Sequence, residues 1–438
     1  MRNLRYLVQP GGALCGHLRV PGDKSISHRA IMFGALAKGI TTITGFLEGE
    51  DCLATLNAFR AMGVRIDGPE QGQVTVHGVG LYGLRAPDGP LDMGNSGTSM
   101  RLMSGILAGQ AFDTVLTGDT SLTRRPMRRV TDPLTKMGAC IETTVNGAAP
   151  LHIHGNQRLS GIDYLLPVAS AQVKSCLLLA GLYAEGVTRI TEPAPARDHT
   201  ERMLEGFGYP LERENDRSVA ITGGRQLTGR AIDVPADLSS AAFFLAGASI
   251  APGSDLLLEH VGINPTRTGV IDILRLMGAD IEVLNSRQAG GEPVADLRVR
   301  HAPLHGVRIP EELVPLAIDE FPALFIAAAC AKGVTILTGA TELRIKESDR
   351  IQVMADGLTA LGIAAEPTPD GLIIEGGAFS SGTVESHGDH RIAMSFAIAA
   401  LRASGPLSIH DCANVNTSFP GFVGLACNAG LQIMEQTP

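Results

Sequence analysis

Cationic side chains recur beside short polar turns that lead into helix-like segments. The first such turn is Val20-Pro-Gly-Asp-Lys-Ser-Ile-Ser-His-Arg29, in which Asp23 has an N-cap type of side chain and an apolar run follows. Lys24, Ser25 and Arg29 then lie in or beside the first helical turns, where free N–H groups and a partial positive charge favour anions. Two cations and a hydroxyl predict a pocket for phosphate or carboxylate there. A capped helix with exposed basic residues is the alternative.

Arg125 and Arg391 occupy two further polar turns. Arg125 lies in the basic run Thr123-Arg-Arg-Pro-Met-Arg-Arg129, where Pro126 suits the first turn of a helix and leaves Arg125 just before it. Arg391 follows Gly388-Asp-His at the start of another apolar run. Arginine binds carboxylate and phosphate through two parallel hydrogen bonds, so both residues are candidate anion ligands. A solvated basic face is the alternative for the run at 123–129.

A charged segment, Glu342-Leu-Arg-Ile-Lys-Glu-Ser-Asp-Arg350, directly precedes a predicted helix. Lys346 and Glu347 are spaced to share a helical face with Arg350, which a surface ladder of ion pairs would also explain. The other interpretation is a cluster of cations at a positive helix end. Glu347, and Asp319 before the preceding apolar helix, would then be acid/base groups beside cations. N-capping is an equally simple explanation for Asp319.

Cations at several separate helix starts favour one cleft that binds more than one phosphate or carboxylate at once. Ser170-Ala-Gln-Val-Lys174 lies at another such helix start, where hydrogen-bonding side chains without charge take the place of the cations. The sequence contains no Walker-type loop, Gly-x-Ser-x-Gly motif or paired-histidine metal motif, which speaks against nucleotide hydrolysis, a serine hydrolase and a zinc enzyme. The residues by themselves predict a metal-free transferase or lyase of anionic metabolites.

The polar turns open similar segments that recur roughly every 70–80 residues. Each continues as a small-residue helix, usually a β-rich run, and a second helix that closes on glycine. We predict six such units, although a generic α/β chain with similar helices is the alternative. The small-residue helices are predicted at 30–38, 100–109, 175–184, 241–250, 323–332 and 392–403. The second helices are predicted at 56–62, 133–137, 203–205, 273–277, 358–361 and 422–429.

Length and composition indicate a globular protein of at least two domains, with 438 residues, 44% of them hydrophobic and 18% charged. A net charge of −9 argues against a general binder of nucleic acid or acidic membranes. The seven cysteines are scattered without a Cys-x-x-Cys pair, which is typical of a reduced cytoplasmic protein. No signal-like start and no apolar run of membrane-spanning length occurs.

Eight motifs make the chain resemble the enolpyruvyl transferase family over nearly its full length. The resemblance is to the branch that uses shikimate 3-phosphate, and Ala289-Gly-Gly-Glu-Pro-Val-Ala-Asp-Leu-Arg-Val-Arg is similar to its bacterial second class. The motifs are Asp23-Lys-Ser-Ile-Ser-His-Arg, Gly94-Asn-Ser-Gly-Thr-Ser-Met-Arg, Arg124-Arg-Pro-Met, Ser170-Ala-Gln-Val-Lys-Ser, Arg197-Asp-His-Thr, Ile318-Asp-Glu-Phe-Pro, Arg344-Ile-Lys-Glu-Ser-Asp-Arg and Asp389-His-Arg-Ile-Ala-Met.

The resemblance implies an α/β fold of two domains, an inside-out α/β barrel with six βαβαββ repeats, three per domain, and an active site in the interdomain cleft. The shared pattern Val-Pro-x-Asp-x-Ser at Val20 and Val234 would mark the connections between domains. We therefore expect residues 22–237 to form an inserted domain, and residues 1–21 with 238–438 to form a discontinuous one. We also expect a cytoplasmic monomer that needs no metal or cofactor.

The implied reaction transfers the enolpyruvyl group of phosphoenolpyruvate to the 5-hydroxyl of shikimate 3-phosphate and releases phosphate, in chorismate and aromatic amino-acid biosynthesis. Asp319 resembles the base for that hydroxyl, Glu347 the group that handles the proton at the enol carbon, and Lys24 a residue that contacts both substrates. The implied shikimate 3-phosphate contacts are Lys24, Ser25, Arg29, Ser170, Gln172, Arg197, Asp319 and Lys346. The implied phosphoenolpyruvate contacts are Lys24, Gly97, Arg125, Gln172, Arg350 and Arg391.

Two positions bear on the phosphoenolpyruvate site. Many family members have a lysine shortly before the final Phe-Pro, where this chain has Thr417-Ser418, so one cation is missing or supplied elsewhere. Gly97 is small, as in family members that are sensitive to glyphosate, and we expect glyphosate to bind here.

Two other functions compete with this one. The UDP-N-acetylglucosamine enolpyruvyl transferases typically show Lys-Asn in the first motif and a reactive loop cysteine. This chain has Lys24-Ser25 and no cysteine at 109–129. A catalytically silent anion-binding module would not need Asp319 and Glu347 beside its cations.

Overall fold

The computed structural model describes residues 4–437, and most of its helices begin at the polar turns. The helices are α1 (Lys24–Leu36), α2 (Glu50–Ala61), α3 (Gly97–Leu107), α4 (Arg128–Lys136), α5 (Ala171–Gly181), α6 (His199–Gly206), α7 (Leu238–Ile250), α8 (Gly269–Leu276), α9 (Val314–Ala317), α10 (Phe321–Cys330), α11 (Arg350–Ala360), α12 (His390–Ala399) and α13 (Phe422–Ala429). Short 3₁₀ turns span Leu122–Arg124, Glu311–Leu313, Thr341–Ile345, Ala400–Arg402 and Ala413–Thr417.

Short strands lie between these helices. They are β1 (Arg5–Val8), β2 (Cys15–Leu18), β3 (Ala37–Thr44), β4 (Arg65–Glu70), β5 (Gln73–Val79), β6 (Leu91–Asp92), β7 (Thr114–Thr117), β8 (Cys140–Glu142), β9 (Leu151–His154), β10 (Asp163–Leu165), β11 (Val187–Thr191), β12 (Glu212–Asn215), β13 (Ser218–Thr222), β14 (Leu227–Thr228), β15 (Ala231–Asp233), β16 (Asp255–Gly262), β17 (Asp280–Ala289), β18 (Glu292–Arg300), β19 (Val334–Leu337), β20 (Ala364–Thr368), β21 (Gly371–Glu375), β22 (Gly382–Glu385), β23 (Leu407–His410) and β24 (Ile433–Gln436).

The chain divides into two compact units. The inserted unit comprises Gly22–Val234 with Ala289–Gly291. The discontinuous unit comprises the chain up to Pro21, then Pro235–Gln288, and the chain from Glu292 onward.

Each unit contains three sheets among the described residues. In the inserted unit the strand orders are β14-β3-β5-β4, with β15 also on β3, then β6-β7-β9-β8 and β10-β11-β13-β12. In the discontinuous unit they are β22-β23-β1-β24, β17-β18-β16-β2 and β19-β21-β20. Strand β1 pairs antiparallel with both β23 and β24, so the start of the chain lies in a sheet built from its end.

The small-residue helices form the buried centre of each unit. Every residue of α7 is buried, as a helix that is apolar on all sides must be. In the discontinuous unit α7 packs with α10 and α12, and in the inserted unit α1 and α5 each pack against α3. A Cβ added at Gly105 on α3 would lie 2.1 Å from the carbonyl oxygen of Cys176 on α5, so the missing side chain permits this close approach.

All twelve predicted helices are present, but the small-residue helices start earlier than predicted. The predicted start at residue 30 is Lys24 in the structure, and the predicted start at 100 is Gly97. The reason is capping, because Asp23 and Ser96 each accept the N–H of the third residue after them and draw the polar residues into the first turn. The placement of Pro126 in a first turn is wrong, because α4 begins two residues later.

We predict that Gly105→Ala destabilises the inserted unit by about 1–3 kcal/mol or more, because the methyl group overlaps the α5 backbone. Gly424→Ala on α13 is the matched control, since nothing lies within 4 Å of its added Cβ. That helical substitution should stabilise by about 0.5–1 kcal/mol. Urea denaturation of both variants measures the difference, and equal midpoints would contradict the close packing of α3 on α5.

Candidate functional site

Lys24 lies on the first turn of α1, where Asp23 caps the helix by accepting the N–H of Ile26 at 2.9 Å. The capping role predicted for Asp23 is therefore confirmed. The Lys24 ammonium forms an ion pair with the carboxylate of Asp51 on α2. The Lys24 side chain is 22% exposed, whereas Asp51 is buried. The ion pair therefore leaves part of the Lys24 side chain accessible to solvent.

Arg29 is buried and ties three helices of the inserted unit together. Its Nε donates to Thr200 Oγ1 on α6 at 2.7 Å, and its Nη2 donates to Ser175 Oγ on α5 at 2.8 Å. Its Nη1 donates to the carbonyl oxygen of Ser25 at 2.9 Å. Arg29 thus orders the helices that carry other predicted ligands, and its own contact with a ligand stays a prediction.

A buried chain of hydrogen bonds links the starts of α1 and α3. His28 Nδ1 lies 2.7 Å from Thr55 Oγ1, which lies 2.6 Å from Ser99 Oγ, and Ser99 Oγ donates to Ser96 Oγ at 2.7 Å. Burial lowers the pKa of His28 well below its usual range, and the nearby positive charges of Lys24 and Arg29 lower it further. The His28 imidazole in this series of hydrogen bonds is therefore neutral at physiological pH.

Gly97 is the first residue of α3, and two guanidinium groups converge on it. A Cβ added there would lie 3.0 Å from Arg101 Nη1 and 3.2 Å from Arg125 Nη1. The side chain of Arg125 is fixed by Asn95, whose Oδ1 accepts from Nη2 at 2.7 Å. Two cations at a helix N-terminus form an electropositive site that favours an anion.

Gln172, near the start of α5, reaches the same end of α3. Its Oε1 accepts from Arg101 Nη1 at 2.5 Å and its Nε2 donates to Thr98 Oγ1 at 3.0 Å. The predicted residues Gly97, Arg125 and Gln172 are therefore brought together around Arg101.

Ser170 and Arg197 lie at the starts of α5 and α6. Ser170 caps α5, with its side chain 3.5 Å from the N–H of Val173. Arg197 lies two residues before α6, in the segment that follows β11. The lysine of the same motif, Lys174, is buried instead, with Nζ 2.5 Å from Glu192 and 2.7 Å from Glu201.

Arg350 is the centre of the cluster in the discontinuous unit. Its side chain is 1% exposed, and its Nε lies 2.8 Å from Asp389 Oδ2. Its Nη2 lies 2.6 Å from Glu347 Oε2, and its Nη1 lies 3.5 Å from Asp319 Oδ1. Lys346 Nζ lies 3.2 Å from the same oxygen of Asp319. Both predicted acid/base carboxylates therefore contact the predicted cations.

Two local predictions for this cluster are wrong. Lys346 and Glu347 do not share a helical face with Arg350, because α11 begins only at Arg350. Asp319 does not cap α10, since Glu320 holds the cap position and makes no capping hydrogen bond. The Glu320 side chain is buried against Ser239 and Arg267, which leaves Asp319 as the more exposed carboxylate of the pair.

Asp389 joins the cluster to α12. It caps that helix by accepting the N–H of Arg391 at 2.9 Å, and it also accepts from Ser348 Oγ at 3.0 Å. Burial alone would raise the pKa of Asp389, but the Arg350 guanidinium outweighs this and lowers it. Burial opposes the charge on Arg350, and the carboxylates, Asp389 above all, raise its pKa further above its usual range. Both groups are ionised at neutral pH.

Arg391 is the second residue of α12, at the positive end predicted for it. Asn414 Nδ2 donates to the carbonyl oxygen of Gly388 at 2.7 Å, beside this helix start. Thr417 follows on the same 3₁₀ turn, but its Oγ1 donates to the carbonyl oxygen of Asn414 at 2.7 Å. Thr417 and Ser418 are buried, and because their hydroxyl groups are uncharged they do not replace a cation.

Sequence reasoning missed four charged residues that hold the predicted ligands: Asp51, Arg101, Lys174 and Asp389. Arg101, Lys174 and Asp389 lie inside the quoted motifs, and Asp389 has the N-cap pattern that identified Asp23. Asp51 had no signal, because nothing local marks it as a partner of Lys24.

No group of three or more His, Cys, Asp or Glu residues that could hold a metal ion occurs in residues 4–437. Within the same residues, no helix has the length and apolar character needed to cross a membrane. The seven cysteines are all free thiols.

Comparison with known proteins gives consistent similarities. The family model described as EPSP synthase (3-phosphoshikimate 1-carboxyvinyltransferase) matches residues 8–425. A 3-phosphoshikimate 1-carboxyvinyltransferase of Alkalilimnicola ehrlichii is 72% identical over 98% of this chain and 96% of its own length.

Solved structures are similar over the whole chain as well. EPSP synthase from Acinetobacter baumannii superposes with a TM-score of 0.90 at 60% identity, covering 99% of this chain and 100% of that chain. An enolpyruvyl transferase from Streptomyces tendae has a TM-score of 0.79 at 16% identity, with both chains fully covered. The second similarity concerns the mixed α/β fold alone.

We predict that Asp389→Asn lowers the free energy of unfolding by about 3–5 kcal/mol at pH 7, because it removes the charge of the fully buried partner of the buried Arg350. The folded-state pKa of Asp389 is lowered, so its contribution is present above the unfolded value and disappears as pH falls through the folded one. Urea denaturation should therefore show the gap from wild type shrinking below about pH 4.

Asp255→Asn is the control for this prediction. It breaks a 2.6 Å ion pair with Arg298 whose partners are 46% and 40% exposed. Its loss of stability should be much smaller than that of Asp389→Asn. An equal loss of unfolding free energy in both variants would show that burial does not decide how much an ion pair contributes to stability.

Proposed function

This chain belongs to the EPSP synthase (3-phosphoshikimate 1-carboxyvinyltransferase) family, and on that premise we propose that it transfers the enolpyruvyl group of phosphoenolpyruvate to the 5-hydroxyl of shikimate 3-phosphate. The reaction releases phosphate and belongs to chorismate and aromatic amino-acid biosynthesis. The observation that carries the proposal is the Arg350 cluster, where the carboxylates of Asp319 and Glu347 lie beside cations. A simple anion-binding module needs cations but no such carboxylates.

Asp319 is the proposed base. It removes the proton of the 5-hydroxyl while that oxygen bonds to C2 of phosphoenolpyruvate, and a proton from Glu347 arrives at C3. The tetrahedral intermediate then loses phosphate by cleavage of its C–O bond. The C3 proton returns to Glu347, and the proton held by Asp319 goes to the leaving phosphate. Protons balance over the two steps, and the carbon-to-oxygen transfer changes no oxidation state, so we propose that no metal or redox cofactor takes part.

The remaining residues are proposed as ligands. Both substrates are polyanions that repel each other, and a preorganised set of cations offsets that repulsion and aligns the reacting atoms. Lys24 would contact both substrates. The other shikimate 3-phosphate ligands would be Ser25, Arg29, Ser170, Gln172, Arg197, Asp319 and Lys346. The other phosphoenolpyruvate ligands would be Gly97, Arg125, Gln172, Arg350 and Arg391.

The proposed chemistry needs both sets of residues at once, because Lys24 and Gly97 belong to the inserted unit and Asp319 and Arg350 to the discontinuous one. We therefore propose one active site in the cleft between the domains. We also propose the finer architecture of this family, an inside-out α/β barrel of six βαβαββ repeats. The three sheets in each unit support it.

We further propose a cytoplasmic monomer that acts on small molecules alone. The free thiols are compatible with a reducing compartment. The net charge of −9 disfavours nucleic acid and acidic membranes as partners.

The test of the proposed function is phosphate release from purified protein with phosphoenolpyruvate and shikimate 3-phosphate, in the presence of a chelator. A parallel reaction contains UDP-N-acetylglucosamine in place of shikimate 3-phosphate. Release in the first reaction alone is the expected result. Phosphate release in the second reaction alone would show that UDP-N-acetylglucosamine is the acceptor. No phosphate release in either reaction would favour an anion-binding module.

We predict that Asp319→Ala lowers kcat by at least about a hundredfold while the affinity for shikimate 3-phosphate changes much less, because a general base acts in the transition state. Calorimetric titration of the variant measures the affinity independently of turnover. A variant with wild-type turnover would remove Asp319 from the mechanism.

We predict that Gly97→Ala raises the KM for phosphoenolpyruvate about tenfold with a smaller change for shikimate 3-phosphate. Its methyl group would lie 3.0–3.2 Å from two guanidinium groups and displace them. Gly89→Ala in the same unit is the control, since its added Cβ meets nothing within 4 Å. Equal effects on both KM values would argue against a phosphoenolpyruvate subsite at Gly97.

Glyphosate should inhibit the wild-type enzyme in competition with phosphoenolpyruvate, because it would occupy the subsite beside Gly97. A glyphosate titration at several phosphoenolpyruvate concentrations measures this. No inhibition at concentrations far above the KM for phosphoenolpyruvate would contradict the prediction.

A further inference from the structure

We propose that Lys174 is a positioning residue, which holds the segment 192–198 and with it Arg197 in the conformation that binds shikimate 3-phosphate. This inference rests on the proposed function, because the acceptor contact of Arg197 is part of it. Lys174 itself touches neither substrate in this proposal.

The contacts of Lys174 enclose that segment. Lys174 Nζ lies 2.5 Å from Glu192 Oε1, directly after β11, and 2.7 Å from Glu201 Oε1 on α6. It also donates to the carbonyl oxygen of Ala196 at 3.3 Å. Ala196 is the residue before Arg197, so the ammonium holds the backbone at the predicted ligand and at both flanks.

All three N–H groups of the Lys174 ammonium are used by these acceptors, and an ammonium has no others. The side chain is also only 4% exposed. In this conformation Lys174 cannot be a substrate ligand or an acid/base group. It can therefore affect substrate binding only through the segment 192–198.

The other side of Arg197 is anchored separately. Asp198 accepts from Arg202 Nε on α6, with both carboxylate oxygens 2.9 Å away. Arg197 thus lies between a backbone carbonyl held by Lys174 and a carboxylate held by α6. Both anchors are charge-assisted, so they restrict the conformations from which Arg197 reaches a ligand.

Stability alone does not explain three charges in this place. Glu192 Oε2 and Glu201 Oε2 are buried without a hydrogen-bond partner, and one cation faces two carboxylates. Removing each ion from water costs several kcal/mol, and apolar residues of similar volume are often as stable or more so. A buried ionic group of this kind is therefore better explained by the conformation it specifies.

The charge state of Lys174 supports its role as a positioning residue. Burial raises the pKa of Glu192 to about 7, although Lys174 opposes the shift. Burial alone would lower the pKa of Lys174, but the two carboxylates raise it, so the ammonium stays charged and keeps all three donors.

The experiment compares the full-length wild type with Lys174→Met in steady-state kinetics, varying each substrate in turn. The expected result is a KM for shikimate 3-phosphate raised about tenfold, with kcat and the KM for phosphoenolpyruvate changed less than about threefold. A fall in thermal stability with unchanged KM values would overturn the proposal, because a purely structural lysine gives that result. An equal rise of both KM values would overturn it as well.

Two further variants keep the test decisive if Lys174→Met does not fold. Glu192→Gln keeps the shape of the side chain and removes its charge, and it should raise the same KM by a smaller factor. Arg213→Met is the matched control, because it breaks an exposed ion pair to Glu205 of the same helix α6 at 3.2 Å. An unchanged KM in Glu192→Gln, or an equal change in Arg213→Met, would overturn the proposal.

A double variant and an exchange measurement separate this proposal from the proposed function. If Lys174 acts through Arg197, adding Lys174→Met to Arg197→Ala should raise the KM no further, whereas additive effects would refute the coupling. Amide hydrogen exchange of 192–198 should accelerate in Lys174→Met whether or not shikimate 3-phosphate is the acceptor. Faster exchange in a protein that is inactive with that acceptor would refute the proposed function alone, and unchanged exchange would refute the positioning role.

Discussion

A guanidinium that is removed from water must be matched by carboxylates, and Arg350 is where the discontinuous unit meets that requirement. Its three carboxylate partners come from different parts of the chain: Asp389 from the cap of α12, Glu347 from the preceding turn, and Asp319 from the start of α10. One buried cation thereby positions both proposed acid/base groups. Through the cap made by Asp389 it also fixes the helix start that carries Arg391.

The buried cations of the inserted unit have different environments. The acceptors that surround Arg29 at hydrogen-bonding distance include two hydroxyls and a carbonyl oxygen, which are neutral. Lys174 has the opposite environment, with two carboxylates for one cation. An excess of carboxylates keeps the Lys174 ammonium from serving as a ligand. In our proposal Lys174 therefore fixes a loop and does not serve as a ligand.

Close helix packing is the condition under which these charges meet. Gly105 lets α3 approach the backbone of α5, and this contact brings Gln172 of α5 to the start of α3. At that start the absence of a side chain at Gly97 leaves space in front of two guanidinium groups. Glycine therefore serves both in the core and at the site. At Gly105 it permits close helix packing, and at Gly97 it leaves the guanidinium groups uncovered.

The sequence by itself determined the polar turns at which helices begin, although the predicted small-residue helices start two to six residues too late. Asp23 is the cap that its type and position predict, and Lys24, Gly97 and Arg391 lie on first turns, because capping depends on residues only two or three positions apart. The motifs were also sufficient to predict the family. Local spacing failed where a proline was taken to begin a helix at 126, since α4 begins at Arg128 and the N–H of Met127 donates to the carbonyl oxygen of Gly147.

Only the tertiary structure decided which charges face each other. Asp389 and Arg350 are 39 residues apart, and Lys24 and Asp51 belong to different helices. Local sequence does not distinguish the buried Lys174 from the partly exposed Lys24. The burial of Lys174 depends on one glutamate directly after β11 and another on α6. The physical reason is that ion pairing and desolvation depend on distances in space, and those distances are set by how the helices and sheets pack rather than by spacing along the chain.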